Sequence, residues 1–266
     1  MKQVKATVIS NQIVLPAEKK QGRKLSKETR ILWLNCPEIA SNATPGQFVM
    51  VNCGGGCILP RPFSIFQTSQ GNLALLYTVW DGGKGTEWLA SKGIGEEINL
   101  IGPLGNGFKI EKQAINILLI AGGMGIAPIY FLALEAISQL KNVTFLYGTA
   151  GKERYPIPSE MRLISATEDG SVGYKGYITD LIPQYIDNCD QVFACGPLSM
   201  YKTMQTKHAE LKLDDKRIQV SLEVRMGCGI GSCYSCTILT KQGPKQVCKD
   251  GPVFHFDEIL WDSVLI

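Results

Sequence analysis

The chain has 266 residues, 45% of them hydrophobic and 19% charged, and its 27 basic and 24 acidic groups leave a net charge of +3. That length supports two or three domains with their own cores, and the near-balance of charge makes no case for nucleic acid as a partner. No opening stretch joins a basic start to an apolar run and a small-residue cleavage site, and runs such as "ILLIA" are far too short to span a bilayer, so a cytoplasmic chain with no membrane contact is expected.

From residue 1 to 110 short β-branched or alternating runs recur: "KATVIS", "TRILWLNC", "GQFVMVNC", "PFSIFQ", "LALLYTVW" and "EEINLIG". Gly, Pro, Asn and Ser turns separate them, and one brief helix is expected near "GTEWLASK". About six such strands predict a small antiparallel β-barrel rather than an α/β unit. Within it, "LPRPFSIF" sets Arg61, Pro62, Phe63 and Ser64 in a row. A guanidinium fork suits the anionic oxygens of a diphosphate, an aromatic can stack, and a hydroxyl can hydrogen-bond to a ring nitrogen. Alone, the tetrapeptide is a weak signal and reads more readily as an ordinary strand with an exposed arginine. "DGGKGTEWLAS" strengthens the first reading, because Gly85 and Thr86 would open a short helix with free N–H groups.

After "GPLGNGF" the pattern changes. "INILLIA" reads as a buried strand, and "GGMGIAPIYFLALEAISQL" places Ile126, Ile129, Ala133, Ile137 and Leu140 on one helical face. "VTFLYG", "MRLISAT", the helical "YITDLIPQYI", the strand "QVFACG", the helix "LSMYKTMQTKHAELK" and the strand "RIQVSLE" follow. Such alternation predicts parallel βαβ units over residues 111 to 218. "AGGMGIAP" is a tight strand-to-helix crossing at the carboxyl edge of the sheet, where glycine admits a ligand close to the backbone. Pro128 stands where a dinucleotide fingerprint has its third glycine, so a simple packing turn is the competing reading. "ACGPLSM" repeats the arrangement with Gly196 and Pro197, and two such crossings at neighbouring strands would frame one crevice.

Residues 219 to 266 look too short to fold without a staple. Cys228, Cys233 and Cys236 form CxxxxCxxC, with Cys248 after eleven further residues. This is the plant-type spacing for a [2Fe-2S] cluster, which needs four thiolates. Gly227, Gly229 and Gly231 would let the loop curl and leave backbone N–H groups uncovered to point at sulfur. Structural zinc usually takes two CxxC knuckles or Cys/His pairs, and together with disulfides it is the competing reading.

Cys36, Cys189 and Cys195 lie in or beside apolar runs and read as core. Cys53 and Cys57, in "CGGGC", read as part of a mobile loop rather than as a metal pair. Glu168 and Asp169 in "TEDGSVG" are most simply solvated, but at a nucleotide site they would disfavour a 2′-phosphate and so lean toward NAD. His208 and His255 have no companion carboxylates in the sequence pattern, and no catalytic side-chain constellation emerges.

The order of these parts, with "RPFS", "GPLGNGF", "AGGMGIAP", "ACGP" and "MGCGIGSCYSC", resembles the electron-transfer subunits of type B dihydroorotate dehydrogenase, within the ferredoxin reductase superfamily. The resemblance implies a multi-domain fold: an antiparallel β-barrel FAD domain (1–110), an α/β Rossmann-like nucleotide domain (111–218) and a small C-terminal [2Fe-2S] domain (219–266). It implies FAD contacts from Arg61, Pro62, Phe63 and Ser64, from Leu76, Tyr77 and Thr78, and from Gly85 and Thr86. Gly122, Gly123, Gly125, Cys195, Gly196 and Pro197 would lie near NAD, and Cys228, Cys233, Cys236 and Cys248 would bind the cluster. Pro60 departs from the pattern, since many relatives carry a second arginine there. The implied partner is an FMN-containing catalytic subunit that oxidises dihydroorotate, in a heterotetramer of two of each chain, for pyrimidine biosynthesis. The rival readings are a reductase of the same superfamily serving a monooxygenase, sulfite reductase or hydrogenase, and a non-catalytic iron–sulfur sensor.

Overall fold

The computed structural model describes residues 1–16, 26–54, 56–152, 155, 157 and 161–264, so residue 55 of the loop expected to be mobile lies outside them. Six antiparallel strands close a barrel in the order β1-β2-β5-β4-β3-β6. They are β1 (Lys2–Pro16), β2 (Ser26–Asn35), β3 (Phe48–Val51), β4 (Arg61–Ser69), β5 (Asn72–Trp80) and β6 (Glu97–Leu104). The first is far longer than the short run expected, and register shifts at Val8/Ser10 and Ile13/Leu15 bend it around the barrel. Alternate residues such as Ala6, Val8, Leu32, Leu34, Leu73 and Leu75 fill the interior. Two short helices cover it, α1 (Pro37–Ala40), which the sequence pattern did not suggest, and α2 (Lys84–Ala90), which it did.

The second layer is a seven-stranded sheet in the order β10-β9-β8-β7-β11-β12-β15. Its parallel strands are β7 (Asn116–Gly122), β8 (Asn142–Thr149), β9 (Arg162–Thr167), β10 (Tyr174–Lys175), β11 (Gln191–Cys195) and β12 (Ile218–Ser221). Both neighbours of β7 run parallel to it, β8 on one side and β11 on the other, so the strand order reverses between β7 and β11 and a crevice opens at their carboxyl ends. Helix α3 (Ile126–Ser138) buries Ile126, Ile129 and Ala133 as its spacing requires, whereas Leu140 lies past its end, 91% exposed, at φ 58°. "YITDLIPQYI" splits into a 3-10 turn, Ile178–Leu181, and α4 (Ile182–Tyr185); the later helix, α5 (Leu198–Thr206), is shorter than its apolar pattern. Barrel and sheet share a core, because Phe66 of β4 stacks on Tyr130 of α3 with ring centroids 4.4 Å apart.

The C-terminal residues do not stand alone. The hairpin of β13 (Thr237–Thr240) and β14 (Gly243–Gln246) leads into α6 (Val247–Asp250), and β15 (Val253–His255) then returns antiparallel to β12 as the sheet's last strand. Val247, Phe256 and Trp261 are buried in one cluster with Tyr201 and Met204 of α5, so the sheet supplies the core this segment lacks. "GPLGNGF" is the clasp: the Asn106 side-chain amide donates to the carbonyls of Asp250 and Val253 at 3.0 and 2.9 Å, and its Oδ1 accepts the Val253 N–H at 2.9 Å. Gly105 is required there, since a Cβ would fall 2.6 Å from the Gly251 carbonyl oxygen.

His208 corrects an expectation, for it faces two carboxylates, Asp214 at 3.1 Å and Asp257 at 3.7 Å. The first lies six residues on and the second comes from the C-terminal segment, a pairing invisible in sequence. Among the described residues no helix is long and apolar enough to cross a membrane.

Candidate functional site

Barrel, sheet and tail meet at a cavity of about 280 Å³. Seven of the residues expected at a flavin line it: Pro62, Phe63 and Ser64 from β4, Leu76, Tyr77 and Thr78 from β5, and Thr86 from α2. The strand registers explain the convergence, since Met50 pairs with Pro62 and Arg30 with Tyr77 around a closed barrel. Phe63 turns mostly into the barrel core, edge-on to Tyr77 at 5.9 Å. Tyr77 donates its hydroxyl to Asn11 at 2.9 Å, and burial raises its pKa well above the usual tyrosine value. The Ser64 hydroxyl makes no hydrogen bond among the described residues.

Arg61 and Gly85 sit together outside the cavity lining, because a Cβ on Gly85 would lie 3.1 Å from Cγ of Arg61. The Arg61 guanidinium donates to the Leu59 carbonyl at 2.9 Å and has no ion pair among the described residues, so most of its fork is uncommitted. The start of α2 is less open than expected. The Glu87 carboxylate accepts the Gly82 N–H at 3.3 Å, and Thr86 donates back to the Gly83 carbonyl at 3.1 Å.

The glycines of the two crossings have a packing role that the sequence pattern did not show. A Cβ on Gly125 would lie 2.1 Å from the Cys195 carbonyl oxygen, and one on Gly122 would lie 2.8 Å from Pro197. Gly196 is likewise closed in by Met200. These residues let the crossings after β7 and β11 abut, while Gly123 and Pro197 remain exposed at the crevice. The Cys195 thiol is fully buried and directed at the Ser221 carbonyl 3.4 Å away, so it shapes the crevice from behind. Glu168 and Asp169 are exposed after β9, and Asp169 accepts the Ser171 N–H and hydroxyl at 2.9 and 2.7 Å.

The opposite wall of the cavity was not foreseen: Ser221, Leu222, Glu223, Val224 and Met226, running off the end of β12. Glu223 has no hydrogen bond or ion pair among the described residues. Its side chain is open to the cleft, and the protein packed around it, with no cation among the described residues to offset it, raises its carboxyl pKa. A group whose folded pKa is raised contributes its stability below the unfolded value and loses it as pH rises through the folded one. Glu223→Gln is therefore expected to raise the Tm of the cofactor-free chain slightly at pH 8 and to leave it unchanged at pH 4, as read by thermal scans at both pH values.

Met226 leads directly to the cysteine loop. Gly229 and Gly231 take φ of 73° and 82°, and Tyr234 takes 58°, so the loop curls over residues 227–236 as the glycines predict. Backbone N–H groups point at sulfur: Ile230 and Ser232 at Cys228 Sγ (3.4 and 3.3 Å), Gly231 at Cys248 Sγ (3.2 Å) and Cys248 at Cys236 Sγ (3.4 Å). All four cysteines are unpaired thiols. The Ser235 hydroxyl pulls the exposed Cys233 down to about 6, whereas burial pushes Cys248 up to about 12. Four thiols ringed by amide donors suit a thiolate-bound cluster, and no three His, Cys, Asp or Glu side chains among the described residues converge on a single ion. Met50 of β3 sits beneath Gly229, where a Cβ would come within 2.3 Å of its Cγ, so the loop is seated on the barrel.

Comparison with known proteins finds both kinds of domain in the chain. Residues 17–108 match the oxidoreductase FAD-binding domain family, and residues 223–260 match the iron–sulfur cluster binding domain of dihydroorotate dehydrogenase B. The chain is 37% identical over 253 residues to the dihydroorotate dehydrogenase B (NAD(+)) electron transfer subunit of Desulforamulus reducens, covering 90% of this chain and 95% of that one. The Shouchella clausii protein of the same name is 34% identical over 263 residues, covering 91% and 99%. Among solved structures, an NADH-dependent reduced ferredoxin–NADP oxidoreductase superposes with a TM-score of 0.81 at 28% identity, over 97% of this chain and 90% of that one. The ferredoxin–NADP⁺ reductase of Plasmodium falciparum shares the fold, with a TM-score of 0.62 at 13% identity over 83% and 96%.

Proposed function

Since the chain belongs to the family of dihydroorotate dehydrogenase B electron transfer subunits, we propose that it carries electrons from a separate dihydroorotate-oxidising FMN subunit to NAD⁺ in pyrimidine biosynthesis. A bound flavin would supply the conversion between hydride transfer at a nicotinamide and single-electron exchange with an iron–sulfur cluster. The observation that carries the reading is the run from Glu223 to Cys228, which walls the cavity and then enters the cysteine loop, so the two cofactors would be held by one continuous segment.

Arg61 offers its fork to a diphosphate, Ser64 and Thr78 present hydroxyls to a ring system, and Tyr77 walls the flavin site. Cys228, Cys233, Cys236 and Cys248 would hold the cluster, with the loop N–H groups stabilising charge on their sulfurs. Gly122, Gly125 and Gly196 keep the crevice narrow, and exposed Gly123 and Pro197 would meet the nucleotide. Glu168 and Asp169 at the end of β9 favour NAD⁺ over its 2′-phosphorylated form through charge. The residue limits 1–110, 111–218 and 219–266 describe three functional units, although β12 spans the second boundary and β15 ties the third unit to the sheet. The partner docks at the cysteine loop, where Ile230 and Tyr234 are 44% and 70% exposed, and two copies of each chain assemble in the cytoplasm.

Co-purification with the FMN protein of the same genome tests this reading. The expected result is a complex, two of each chain by native mass spectrometry, that reduces NAD⁺ when given dihydroorotate. A complex with a monooxygenase or hydrogenase component instead, without orotate formation, overturns it.

A further inference from the structure

The "CGGGC" loop plays no part in the function proposed above, yet it lies against the expected diphosphate grip. Cys53 follows β3 and is buried, with its Sγ 3.7 Å from the Val51 carbonyl oxygen. That sulfur is 3.5 Å from the point where a side chain on Gly85 would begin, and the same point is 3.1 Å from Cγ of Arg61. The chain then turns back, the Cys57 N–H donating to the Gly54 carbonyl at 3.4 Å, and half-buried Cys57 packs on the same apolar cluster as Cys53. Burial first and Cys57 second push the Cys53 thiol up to about 11, against the pull of Arg61. Gly56, at φ 82° with nothing within 4 Å of a Cβ position, leaves the turn room to rearrange.

We propose that Cys53 and Cys57 form a reversible disulfide that loosens the Arg61 grip on the flavin; the second half of this statement rests on the flavin reading above. The oxidant is a small disulfide of the glutathione class. The Cys57 thiolate attacks it, a mixed disulfide forms and one glutathione thiol leaves. Cys53 then attacks the Cys57 sulfur, and the second glutathione departs. Two protein thiols are oxidised, one glutathione disulfide is reduced to two thiols, and the two thiol protons pass to the leaving groups. A disulfide requires its Cα atoms within about 4.4–6.8 Å, so bridging would draw Cys53 and Cys57 together across the turn. That movement would withdraw the Cys53 sulfur from its place beside Gly85 and Arg61.

The test treats anaerobic, flavin-loaded holoprotein with glutathione disulfide, maps the thiols of the 53–57 peptide by differential alkylation, and follows flavin release by fluorescence after dilution. The expected result is a Cys53–Cys57 bridge and release several-fold faster, both reversed by dithiothreitol and both absent in Cys57→Ser, which replaces a half-buried thiol with a near-isostere. Full alkylation of both cysteines in the treated wild-type protein overturns the proposal. So does a bridge that leaves release unchanged while Arg61→Ala accelerates it in reduced protein. If Arg61→Ala also leaves release unchanged, the flavin assignment has failed and the coupling falls with it, whatever the thiol map shows.

Discussion

A Cys248→Ala protein is expected to retain flavin and lose its cluster, with dihydroorotate-driven NAD⁺ reduction in the reconstituted complex falling by more than about 100-fold, beyond the cost of losing an outer-shell contact. Cys248 is the proposed ligand farthest along the chain from the other three, and it is buried, 3% exposed, at the start of α6. Its sulfur receives the Gly231 N–H, so the substitution takes away one thiol and leaves that amide without its acceptor, while the backbone N–H of residue 248 still supports Cys236. Iron and acid-labile sulfide analysis, with the visible spectrum, reads the first part of the prediction. NADH-driven bleaching of the flavin reads the second, and it should persist, because the cavity residues from β4 and β5 are untouched. Loss of flavin together with the cluster would mean that the two sites are not separable.

The second large effect is expected from Gly125→Ala. Its φ of −58° suits any residue, so strain in the backbone angle is not the issue. Space is. A Cβ would sit 2.1 Å from the Cys195 carbonyl oxygen, 2.3 Å from its carbon and 2.7 Å from the Gly196 nitrogen, all backbone atoms that no rotamer change can move. Strands β7 and β11 must then separate at their carboxyl ends, at a cost of about 3–5 kcal/mol and a Tm lower by about 10 °C. Gly123→Ala makes the control, since it meets nothing within 4 Å and pays only for a φ of 53°, about 1 kcal/mol. Equal losses for the two variants in thermal scans would show that crowding between the crossings is not the cause.

What the residues disclosed in advance follows the range of the forces involved. Barrel strands, the βαβ alternation and the cysteine spacing are local patterns, and Pro62, Phe63 and Ser64 of "RPFS" reached the cavity on β4 while Arg61 stayed outside its lining. Features that depend on distant partners stayed hidden. Gly122, Gly125 and Gly196 could be marked from sequence as ligand approaches, but not the packing they also serve, against the Cys195 backbone at Gly125 and against Pro197 and Met200 at Gly122 and Gly196. Glu223 stood in plain view in "SLEVRMGC", but its significance arises only once β12 ends at a cavity wall. The strand Val253–His255 is three residues long and has no periodicity to detect. His208 gained its acidic neighbours through the packing of the C-terminal turn on α5. The "CGGGC" reading shifted as well, for Cys53 proved to be part of the barrel core.

The returning strand β15 has one more consequence. A parallel sheet ending at β12 would present a row of unsatisfied amide and carbonyl groups to any neighbouring chain, and β15 covers that row through pairings from Gln219 to Ser221. The guard is held in place by the same short segment that carries Cys248, only five residues before it. The Asn106 clasp, which grips the carbonyls of Asp250 and Val253, thus guards the sheet edge as well, and a chain that lost it would uncover a ribbon prone to association.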